Sequence, residues 1–595
     1  MSINLNQYEL DPCRQDLSRR VHAALTALLP ESASLTLTAN DIGHLLEEPP
    51  EGRLGDYALP CFRFAKDLRR KPPDIATALA QALSPGGWLA EATAVGAFLN
   101  LFIAKNCLAR AVIPATLSGA AFCQLAANPS NSSQRVMIEF SQPNTHKELH
   151  VGHGRNVCLG SSLVRLFRYC GYQVTAANYF GDEGTHIATE LSYIRRHQKT
   201  PPAARRSEWF SQMYVEAKRE LASADEPTQA KLNADISAVH RQIESKTGEV
   251  YEFWLKTRQW SLDEFEEIYR WLDVKFDVAF YESEVSEAAQ GIVDEYVAKG
   301  IFIQDDGAIG VDLKPYKLGF SILRKRDGNT LYATKDLALA RLKFEKYKID
   351  RNIYVVADEQ NHHFKQVFKV LELMGFPQAK LCDHLSYGMV VLPEGKMSSR
   401  DGNAVAFTQL RDMMLGSLKS VLAKYTDDWR QEEILTTAHR LADGALKYGM
   451  ISTDPTSKIV FNLEDWLSFE GNSGPYLMYS YSRTLSILRK AAEQGWRPDP
   501  DASDALTEDS EHALLRYLFD FNNVVAAACE NYKPSMLATH LFYMCKSFNR
   551  FYADVSVLKA DSDTQRAARL ALIQAFAATL KQGLTLLGIT PPDRM

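Results

Sequence analysis

The chain has 595 residues, of which 46% are hydrophobic and 24% are charged. This length excludes a single hydrophobic core, because domains average roughly 150 residues, and it predicts three or four domains of an ordinary soluble globular protein. The formal net charge is −6, from 67 Lys and Arg against 73 Asp and Glu. A globally basic surface is thereby excluded, so any nucleic-acid partner must bind local basic patches.

The N-terminus and the cysteines limit location and cofactors. The first fifteen residues contain no apolar run behind basic residues, and the longest apolar stretch, residues 92–104, is interrupted by Asn100. Neither segment fits a secretory signal or a membrane span, so we expect a cytoplasmic protein with no membrane partner. The nine cysteines show no Cys-x-x-Cys spacing. This argues against a structural zinc site and a disulfide framework, and we predict no protein-held metal.

Predicted elements divide the chain into four parts. The first part runs from helix into mixed α/β structure and ends in an apolar run, residues 95–103, that is short enough for one strand. A polar stretch at 128–134 indicates a linker. Helical periodicity dominates from about residue 453 onward. The predicted divisions are an N-terminal domain at 1–115, a linker at 116–134, an α/β domain at 135–450 and a helical domain at 451–595.

The long central part alternates between strand-like and helical patterns. Such alternation predicts a parallel α/β sheet. A charged, helix-patterned block at residues 190–300 interrupts it and is interpreted as an insertion between two halves. The predicted strands are 136–140, 172–178, 353–357 and 388–392, and a helix is predicted at 363–374.

Two short segments indicate a nucleoside triphosphate as ligand. His150 and His153 follow the first predicted strand of the central part and open a helix-patterned segment. A helix N-terminus presents unpaired amides and a partial positive charge to phosphate, and two histidines three residues apart can flank it. The second segment, residues 396–400, has Gly395 and Gly402 on its two sides, which would let it close over phosphates. The pair predicts an enzyme that uses ATP.

The histidine pair alone is weak evidence. A chain of this length contains such loose patterns by accident, and two solvated histidines at a helix start are the simplest alternative. A dinucleotide fingerprint at Gly152-x-Gly154 lacks its third glycine and a suitable acidic residue. The strand before the pair, the helix after it and the second segment together favour ATP. In this combination the two segments resemble the signature pair of the class I aminoacyl-tRNA synthetases.

Longer segments resemble one family of that class, the arginyl-tRNA synthetases. Residues 141–156, which include both histidines, are similar to the family's segment at this point, and so are residues 331–336. The resemblance extends over essentially the whole chain. Its segments are residues 52–76, 141–156, 178–186, 331–336, 354–364, 471–483 and 583–595.

The resemblance implies a fold and a reaction. The fold would be α/β, with a Rossmann-like parallel-sheet catalytic domain carrying a helical insertion, an α+β N-terminal tRNA-binding domain and an all-helical C-terminal anticodon-binding domain. The enzyme would activate L-arginine with ATP, entering as its Mg²⁺ complex, to arginyl-adenylate and pyrophosphate. It would then transfer arginine to the 2′-hydroxyl of the terminal adenosine of tRNA(Arg). Family members are usually monomers, and their arginine activation should need bound tRNA.

A pocket for arginine is also implied by the resemblance. A guanidinium is planar, permanently charged and carries five donors, so its selection needs carboxylates at fixed positions and neutral acceptors. Each residue taken alone would be interpreted as a surface acid or a core aromatic. By resemblance, Glu282 and Asp336 would bind the guanidinium, Tyr332 and Gln360 would shape the pocket, and Asn144 would hold the amino-acid end of the substrate.

Resemblance likewise assigns the ATP site, with one departure from the class. His150 and His153 would contact phosphates, with Gly152 leaving room for a base or ribose. The general class I loop has a second lysine where this chain has Ser399. In the family a lysine just before the histidine motif is thought to compensate, and Lys147 stands there. The loop residues expected at ATP and its leaving pyrophosphate are Lys396, Met397, Ser398 and Ser399.

The expected tRNA contacts rest on weaker local patterns. Single-stranded RNA is recognised by stacking bases on aromatic side chains and by Arg or Lys contacts to phosphate. Aromatic residues at helical spacing are more often core residues, and a short basic run is more often a solvated surface. By resemblance, the candidates are Arg69, Arg70 and Lys71 in the N-terminal part and Tyr479, Tyr481 and Met595 in the C-terminal part.

Two alternatives come from other classes of protein. A small adenylating nucleotidyltransferase could use the same histidine motif without tRNA, but it would not require the helical C-terminal region. A catalytically inactive paralogue could bind only RNA or a partner protein. The intact histidines, Lys396 and the pocket residues count against the second alternative.

Overall fold

The structure is a computed structural model and describes residues 11–30, 34–119, 131–326, 328, 330–391, 405–423 and 429–595. Four predicted ATP-site residues, Lys396, Met397, Ser398 and Ser399, lie outside the described residues.

The N-terminal unit combines helices with a three-stranded antiparallel sheet. Its elements are α1 (Pro12–Ala27), α2 (Ala39–Leu45), β1 (Tyr57–Pro60), α3 (Ala65–Leu68), α4 (Pro72–Ala82), β2 (Leu89–Val95), β3 (Phe98–Ile103) and α5 (Lys105–Leu117). The strand order is β1-β3-β2. The apolar run at 95–103, predicted as one strand, is split at Gly96, whose φ of +59° suits glycine and turns the chain between β2 and β3.

The central unit holds the strands and helices of the α/β region. Its elements are β4 (Arg135–Glu139), α6 (Val151–Tyr169), β5 (Gln173–Phe180), α7 (Thr185–Arg196), α8 (Arg206–Ser223), α9 (Glu226–Glu244), α10 (Glu249–Trp271), β6 (Val278–Tyr281), α11 (Glu282–Ala298), β7 (Ile303–Asp305), β8 (Ala308–Asp312), β9 (Phe320–Arg324), α12 (Tyr332–Tyr347), β10 (Arg351–Ala357), α13 (Asn361–Leu373), β11 (Cys382–Tyr387), β12 (Val390–Val391) and α14 (Phe407–Leu422).

Five of these strands form one parallel sheet, in the order β11-β10-β4-β5-β6. The sequence order reverses between β4 and β10, so this is a doubly wound sheet with its topological switch point there. The central strand β4 is buried from Val136 to Glu139, as expected for a parallel strand covered on both faces. The predicted parallel α/β fold is confirmed.

Three stretches differ in detail from the predicted elements. Of residues 388–391, only Val390 and Val391 form a strand, and they pair outside the main sheet. The edge strand β11 was not among the predicted strands because its sequence, Cys-Asp-His-Leu-Ser-Tyr, lacks an apolar run. Within the block 190–300, the four-residue strand β6 joins the main sheet, so the helical part inserted before it ends at Trp271.

The C-terminal unit is helical apart from one short strand. Its elements are α15 (Gln431–Ile451), β13 (Ile459–Val460), α16 (Leu463–Leu467), α17 (Gly474–Glu493), α18 (Asp509–Glu530), α19 (Pro534–Asp554) and α20 (Asp563–Leu586). The strands β12 and β13 pair in parallel and connect this unit to the central one. None of the helices in the described ranges has both the length and the apolar character needed to cross a bilayer.

Helix α6 lies at the centre of the molecule. It packs against β4, β5 and β10 of the sheet and against α15, α18, α19 and α20 of the C-terminal unit. Gly160 permits this packing, because a Cβ there would be 2.1 Å from the Phe140 ring. The fully buried Arg155 donates to the carbonyl oxygens of Ser457 and Pro455 at 2.7 and 3.1 Å. The helix that begins beside His150 is therefore fixed to both units.

Candidate active site

The predicted histidine pair lies at the switch point of the sheet. α6 follows β4, and crevices outside the carboxyl ends of parallel strands at such a point are where ligands bind. Asn156 on α6 closes the base of this crevice: its Nδ2 donates to the Val355 carbonyl at 2.8 Å, and its Oδ1 accepts from the Ser141 amide at 2.6 Å. The N-terminal end of α6 is thereby placed between β4 and β10.

His150 and His153 form a closely packed pair at the start of α6. Their ring centroids are 3.9 Å apart. The Gly152 amide donates to His150 Nδ1 at 3.1 Å, and the His150 amide donates to His153 Nδ1 at 3.2 Å. A Cβ on Gly152 would lie 3.0 Å from the His150 ring, so glycine is what allows the ring to cap the helix.

Burial and these hydrogen bonds together define the protonation of both rings. Burial, together with the charge of Lys147, lowers the pKa of His150 to about 4. Burial, then His150 and Lys147, hold the pKa of His153 well below its ordinary value. Both rings are therefore neutral, and since each Nδ1 accepts an N–H, each proton is on Nε2. Two N–H donors are available to an anion beside a helix N-terminus.

The loop between β4 and α6 has a constrained backbone. Ser141, Gln142 and His146 have φ values of 78°, 47° and 62°. The left-handed region is costly for such residues and persists where surrounding contacts impose it. Here the Gln142 amide donates to Asn178 Oδ1 at 3.1 Å, and the His146 amide to Ser261 Oγ at 2.9 Å.

This loop positions the predicted residues Asn144 and Lys147. Asn144 bridges to Gly181 in parallel fashion, and a Cβ on Gly181 would lie 2.2 Å from Asn144 Oδ1. Nζ of Lys147 is 5.3 Å from the centre of the Tyr214 ring, within cation–π range. Its charge also acts on both histidines.

The chain that follows the second signature segment is joined through its backbone to the start of α6. The Val151 amide donates to the Val405 carbonyl at 3.1 Å, and the Phe407 amide donates to the Leu149 carbonyl at 2.9 Å. His150 and Ala406 are bridge partners. The chain that leaves residues 396–400 is therefore anchored against the histidine pair.

Glu282, predicted for the guanidinium, is the first residue of α11 and is 4% exposed. Its Oε1 accepts from Nζ of Lys335 at 3.0 Å, and the same nitrogen donates to Glu183 Oε2 at 3.0 Å. Burial raises the pKa of Glu282 to about 7, although Lys335 opposes the rise.

Asp336, the second predicted carboxylate, follows Lys335 on α12 and forms an ion pair with His363. Nε2 of His363 on α13 lies 2.5 Å from Asp336 Oδ2. Burial lowers the pKa of His363, but the hydrogen bond and charge of Asp336 outweigh burial, and the pKa is raised. The buried hydroxyl of Tyr179 is affected by the charges of both Asp336 and Glu282, and burial with those charges raises the pKa of Tyr179.

Tyr332 and Glu282 line one cavity of about 670 Å³, together with Lys335 and Glu183. Tyr332 is 58% exposed and begins α12. Gln360 is exposed in the turn between β10 and α13 and is not part of this cavity lining, and neither are Asn144 and Asp336. The structure thus brings Glu282 and Tyr332 into one cavity. Asp336 does not line this cavity, but it follows Lys335, which does.

The sequence prediction omitted Glu183, Lys335, His363 and Tyr179. Each lies inside a segment quoted for the resemblance, between one and three residues from a predicted residue or from Gly181. Their pairing could not be predicted, because it joins residues 152 and 27 positions apart. Glu183 also has His240 and Glu244 nearby, with one ligand atom from each within 4.8 Å of the others. Lys335 already pairs with Glu183, so we assign no metal there.

The predicted tRNA contacts differ in exposure. Arg69, Arg70 and Lys71 are exposed between α3 and α4. Tyr479 is 44% exposed, whereas Tyr481 is 4% exposed. Met595 packs against the hydrophobic core.

Comparison with known proteins identifies the family. Three sequence models match: the class I (R) tRNA synthetase catalytic domain over residues 117–463, the DALR anticodon binding domain over 477–595 and the arginyl-tRNA synthetase N-terminal domain over 15–103. The α/β region, with its histidine pair at the switch point, is thus a class I aminoacyl-tRNA synthetase catalytic domain.

Individual relatives narrow the class to one member. The arginine-tRNA ligase of Bdellovibrio bacteriovorus is 42% identical over 564 residues, covering 93% of this chain and 95% of that one. The Treponema denticola ligase is 34% identical, covering 91% and 93%. The Thermus thermophilus arginyl-tRNA synthetase structure superposes with a TM-score of 0.76 at 27% identity, covering 98% and 100%. The chain belongs to the arginyl-tRNA synthetase family.

The membership confirms several predictions. The protein is an arginine-tRNA ligase, and its substrates are arginine, ATP and tRNA. The match to an anticodon binding domain contradicts the alternative of an adenylating enzyme that acts without tRNA. The family and fold predictions are both confirmed.

Proposed function

We propose that the chain forms arginyl-adenylate at the switch-point crevice and transfers arginine to the 2′-hydroxyl of the terminal adenosine of tRNA(Arg). The observation that carries this proposal is the pair of neutral imidazoles at the N-terminus of α6. In each ring, Nδ1 accepts a backbone N–H, so the ring proton is on Nε2. Such donors suit phosphate oxygens. ATP would enter as its Mg²⁺ complex.

Activation needs positioning more than proton transfer. A carboxylate oxygen of arginine attacks the α-phosphorus of ATP, and the bond to the β-phosphate oxygen breaks as pyrophosphate leaves. The nucleophile is already ionised, so no general base is required. His150 and His153 would stabilise charge on the phosphates, with Gly152 beside the nucleotide. From the loop we propose Lys396, Met397, Ser398 and Ser399 at ATP and pyrophosphate.

Lys147 is proposed to replace the class I lysine that is absent at Ser399. Its position supports the proposal, because its charge reaches both His150 and His153. A second cation at this place would share the negative charge that develops on the leaving pyrophosphate.

Arginine selection is assigned to the buried carboxylates. Glu282 and Asp336 would bind the guanidinium, and charge-assisted contacts of this kind contribute roughly 1.5–3 kcal/mol each. Tyr332 would cover the guanidinium from the exposed start of α12. Gln360 and Asn144 would contact the substrate from the turn after β10 and the loop after β4.

For tRNA we propose contacts at both ends of the chain. Exposed Arg69, Arg70 and Lys71 suit phosphates, and exposed Tyr479 suits base stacking. Tyr481 and Met595, which are covered, would support that surface from beneath.

The proposed organisation keeps the predicted divisions, with a tRNA-binding domain at 1–115, a linker at 116–134, a catalytic domain at 135–450 and an anticodon-binding domain at 451–595. A helix ends near two of these divisions, α5 at Leu117 and α15 at Ile451, so α15 is assigned to the catalytic domain although it packs with the C-terminal helices α17 and α19. We further propose a cytoplasmic monomer.

The test is arginine-dependent pyrophosphate exchange with and without tRNA. We expect exchange with arginine, and with no other amino acid, when tRNA is present. Exchange driven by another amino acid would overturn the pocket assignment. Full exchange without tRNA would contradict the proposed tRNA dependence.

A further inference from the structure

A buried lysine connects two buried carboxylates beside the proposed arginine site. Nζ of Lys335 is 3.0 Å from both Glu183 Oε2 and Glu282 Oε1, and all three side chains are less than one-tenth exposed. Ser286 Oγ donates a further hydrogen bond to Glu183 Oε2 at 2.5 Å. Buried charges persist when they are paired. With both carboxylates ionised, the triplet Glu183, Lys335 and Glu282 carries one excess negative charge.

The second oxygen of Glu282 is the unsatisfied part of this triplet. Glu282 Oε2 is buried, and no donor among the described residues reaches it. Glu282 also lines the 670 Å³ cavity that Tyr332 borders. A buried carboxylate oxygen without a donor is unfavourable unless a ligand supplies one. A guanidinium supplies both a positive charge and several N–H donors.

We propose that Lys335 is a positioning residue for arginine recognition, which fixes Oε1 of Glu282 and leaves Oε2 of an ionised carboxylate for the substrate guanidinium. Lys335 acts through Glu282 and does not itself contact arginine. The inference rests on the proposed role of Glu282 in the arginine pocket.

Removal of the Lys335 charge and removal of the Glu183 charge should shift the pKa of Glu282 in opposite directions. Burial raises the pKa of Glu282 to about 7; Lys335 opposes this rise, and Glu183 and Asp182 add to it. Asp182 is itself paired with Arg258 at 2.7 Å. Loss of the lysine charge should therefore raise the pKa of Glu282, and loss of the Glu183 charge should lower it. Among the described residues, the titratable and charged groups that act on Glu282 are Tyr179, Asp182, Glu183, Tyr332 and Lys335.

The experiment measures KM for arginine against pH in the full-length enzyme with tRNA, by pyrophosphate exchange between pH 6 and 9. For the wild type, we expect KM to rise as pH falls below about 7. In Lys335→Met this midpoint should move up by at least one pH unit, so that KM at pH 7.0 rises about fivefold or more. In Glu183→Gln the midpoint should move down. KM for ATP should change less than threefold in both.

Two further variants control for charge and folding. Lys335→Arg keeps the positive charge and should keep the wild-type midpoint. Lys346→Met removes an exposed lysine from the same helix and should leave the profile unchanged. If Lys335→Met does not fold, Glu183→Gln and Lys335→Arg decide the question.

The outcomes separate this inference from the function on which it rests. Glu282→Gln should raise KM for arginine at every pH; if it does not, the proposed role of Glu282 is wrong. If Glu282→Gln behaves as expected but Lys335→Met and Glu183→Gln leave the midpoint in place, or move it in the same direction, the positioning role of Lys335 is wrong.

Discussion

The backbone amide of Val151 donates to the carbonyl of Val405 at 3.1 Å, although the two residues are 254 positions apart. This bond places the start of α6 against the chain that leaves residues 396–400. Residues 405–407, which follow the second segment that the sequence singled out, therefore lie beside the first segment.

His150→Ala and His153→Ala should each lower the rate of pyrophosphate exchange by about 10²–10³-fold, the usual effect of removing one preorganised donor from a developing charge. KM for arginine should change little, because neither ring belongs to the arginine pocket. The matched control is His22→Ala on α1. Near-normal exchange in both site variants would contradict the phosphate role.

The pH dependence of that role follows from the pKa of His150. Burial and Lys147 lower it to about 4, so His150 stays neutral throughout pH 6–9 and adds no titration to the rate there. Comparing wild type with His150→Ala over this range should give a ratio of rates that does not vary with pH. A ratio that changes near pH 6.5 would indicate an imidazolium.

Lys147→Ala should reduce pyrophosphate exchange by about 10²-fold, because one charge that stabilises the leaving pyrophosphate is lost. The double variant Lys147→Ala with Ser399→Lys restores the general class I arrangement and should recover part of the rate. Unchanged exchange in Lys147→Ala would show that this lysine does not compensate for Ser399. Lys147→Arg, which keeps the charge, is the conservative control.

His363→Ala should raise KM for arginine about tenfold, because Asp336 loses a charge-assisted hydrogen bond of roughly 1.5 kcal/mol that orients it. The pKa of His363 is raised in the folded protein. Its stabilising contribution is therefore complete below the ordinary value of about 6.5 and is lost as pH rises through the raised value. The wild-type advantage in Tm over His363→Ala should thus be larger at pH 6 than at pH 9. An advantage that grows with pH would contradict the ion pair.

Replacing Arg69, Arg70 and Lys71 together by Ala should weaken tRNA binding and flatten its salt dependence. Each lost phosphate contact removes about 0.7–0.9 from the slope of log K against log[salt], so three contacts remove roughly two to three. Filter binding between 50 and 300 mM salt measures the slope. The control changes three exposed lysines of the catalytic unit, Lys346, Lys348 and Lys380, to Ala. Equal slopes for the two triple variants would exclude a specific basic patch.

Asp56→Asn should loosen the N-terminal unit. The Asp56 carboxylate accepts from the Ile103 amide at 2.7 Å and pairs with His512 and Arg516 of α18. Removing one partner of a buried pair costs about 3 kcal/mol, which predicts about 10²-fold faster hydrogen exchange in β1 and β3. Asp504→Ala breaks the more exposed pair with Arg110 and should cost below about 1 kcal/mol.

The contribution of Asp56 also has a defined pH dependence. Burial raises its pKa, but His512 and Arg516 outweigh burial, and the pKa is lowered. The stabilisation is therefore present above the ordinary value of about 3.9 and is lost as pH falls through the lowered value. The difference in exchange between wild type and Asp56→Asn should shrink on acidification below pH 4.

The sequence by itself determined the family, the α/β fold and the helix that begins at the histidine pair. These depend on local patterns: β4 contains the apolar residues Val136, Met137 and Ile138, and His150 and His153 lie at the N-cap and in the first turn of α6. The edge strand β11 was missed because it has no apolar run, and the run at 95–103 was merged because apolar character alone does not mark the turn at Gly96.

The tertiary structure alone decided how the carboxylates of the proposed arginine site are held. Lys335 bridges Glu183 and Glu282, and His363 pairs with Asp336, across separations of 27 to 152 positions. Burial raises the pKa of Glu282, whereas charged partners raise the pKa values of Lys335 and His363 against burial, and a sequence specifies neither effect. The physical reason is that helix and strand periodicity act between near neighbours, whereas charge pairing and desolvation depend on residues brought together only by folding.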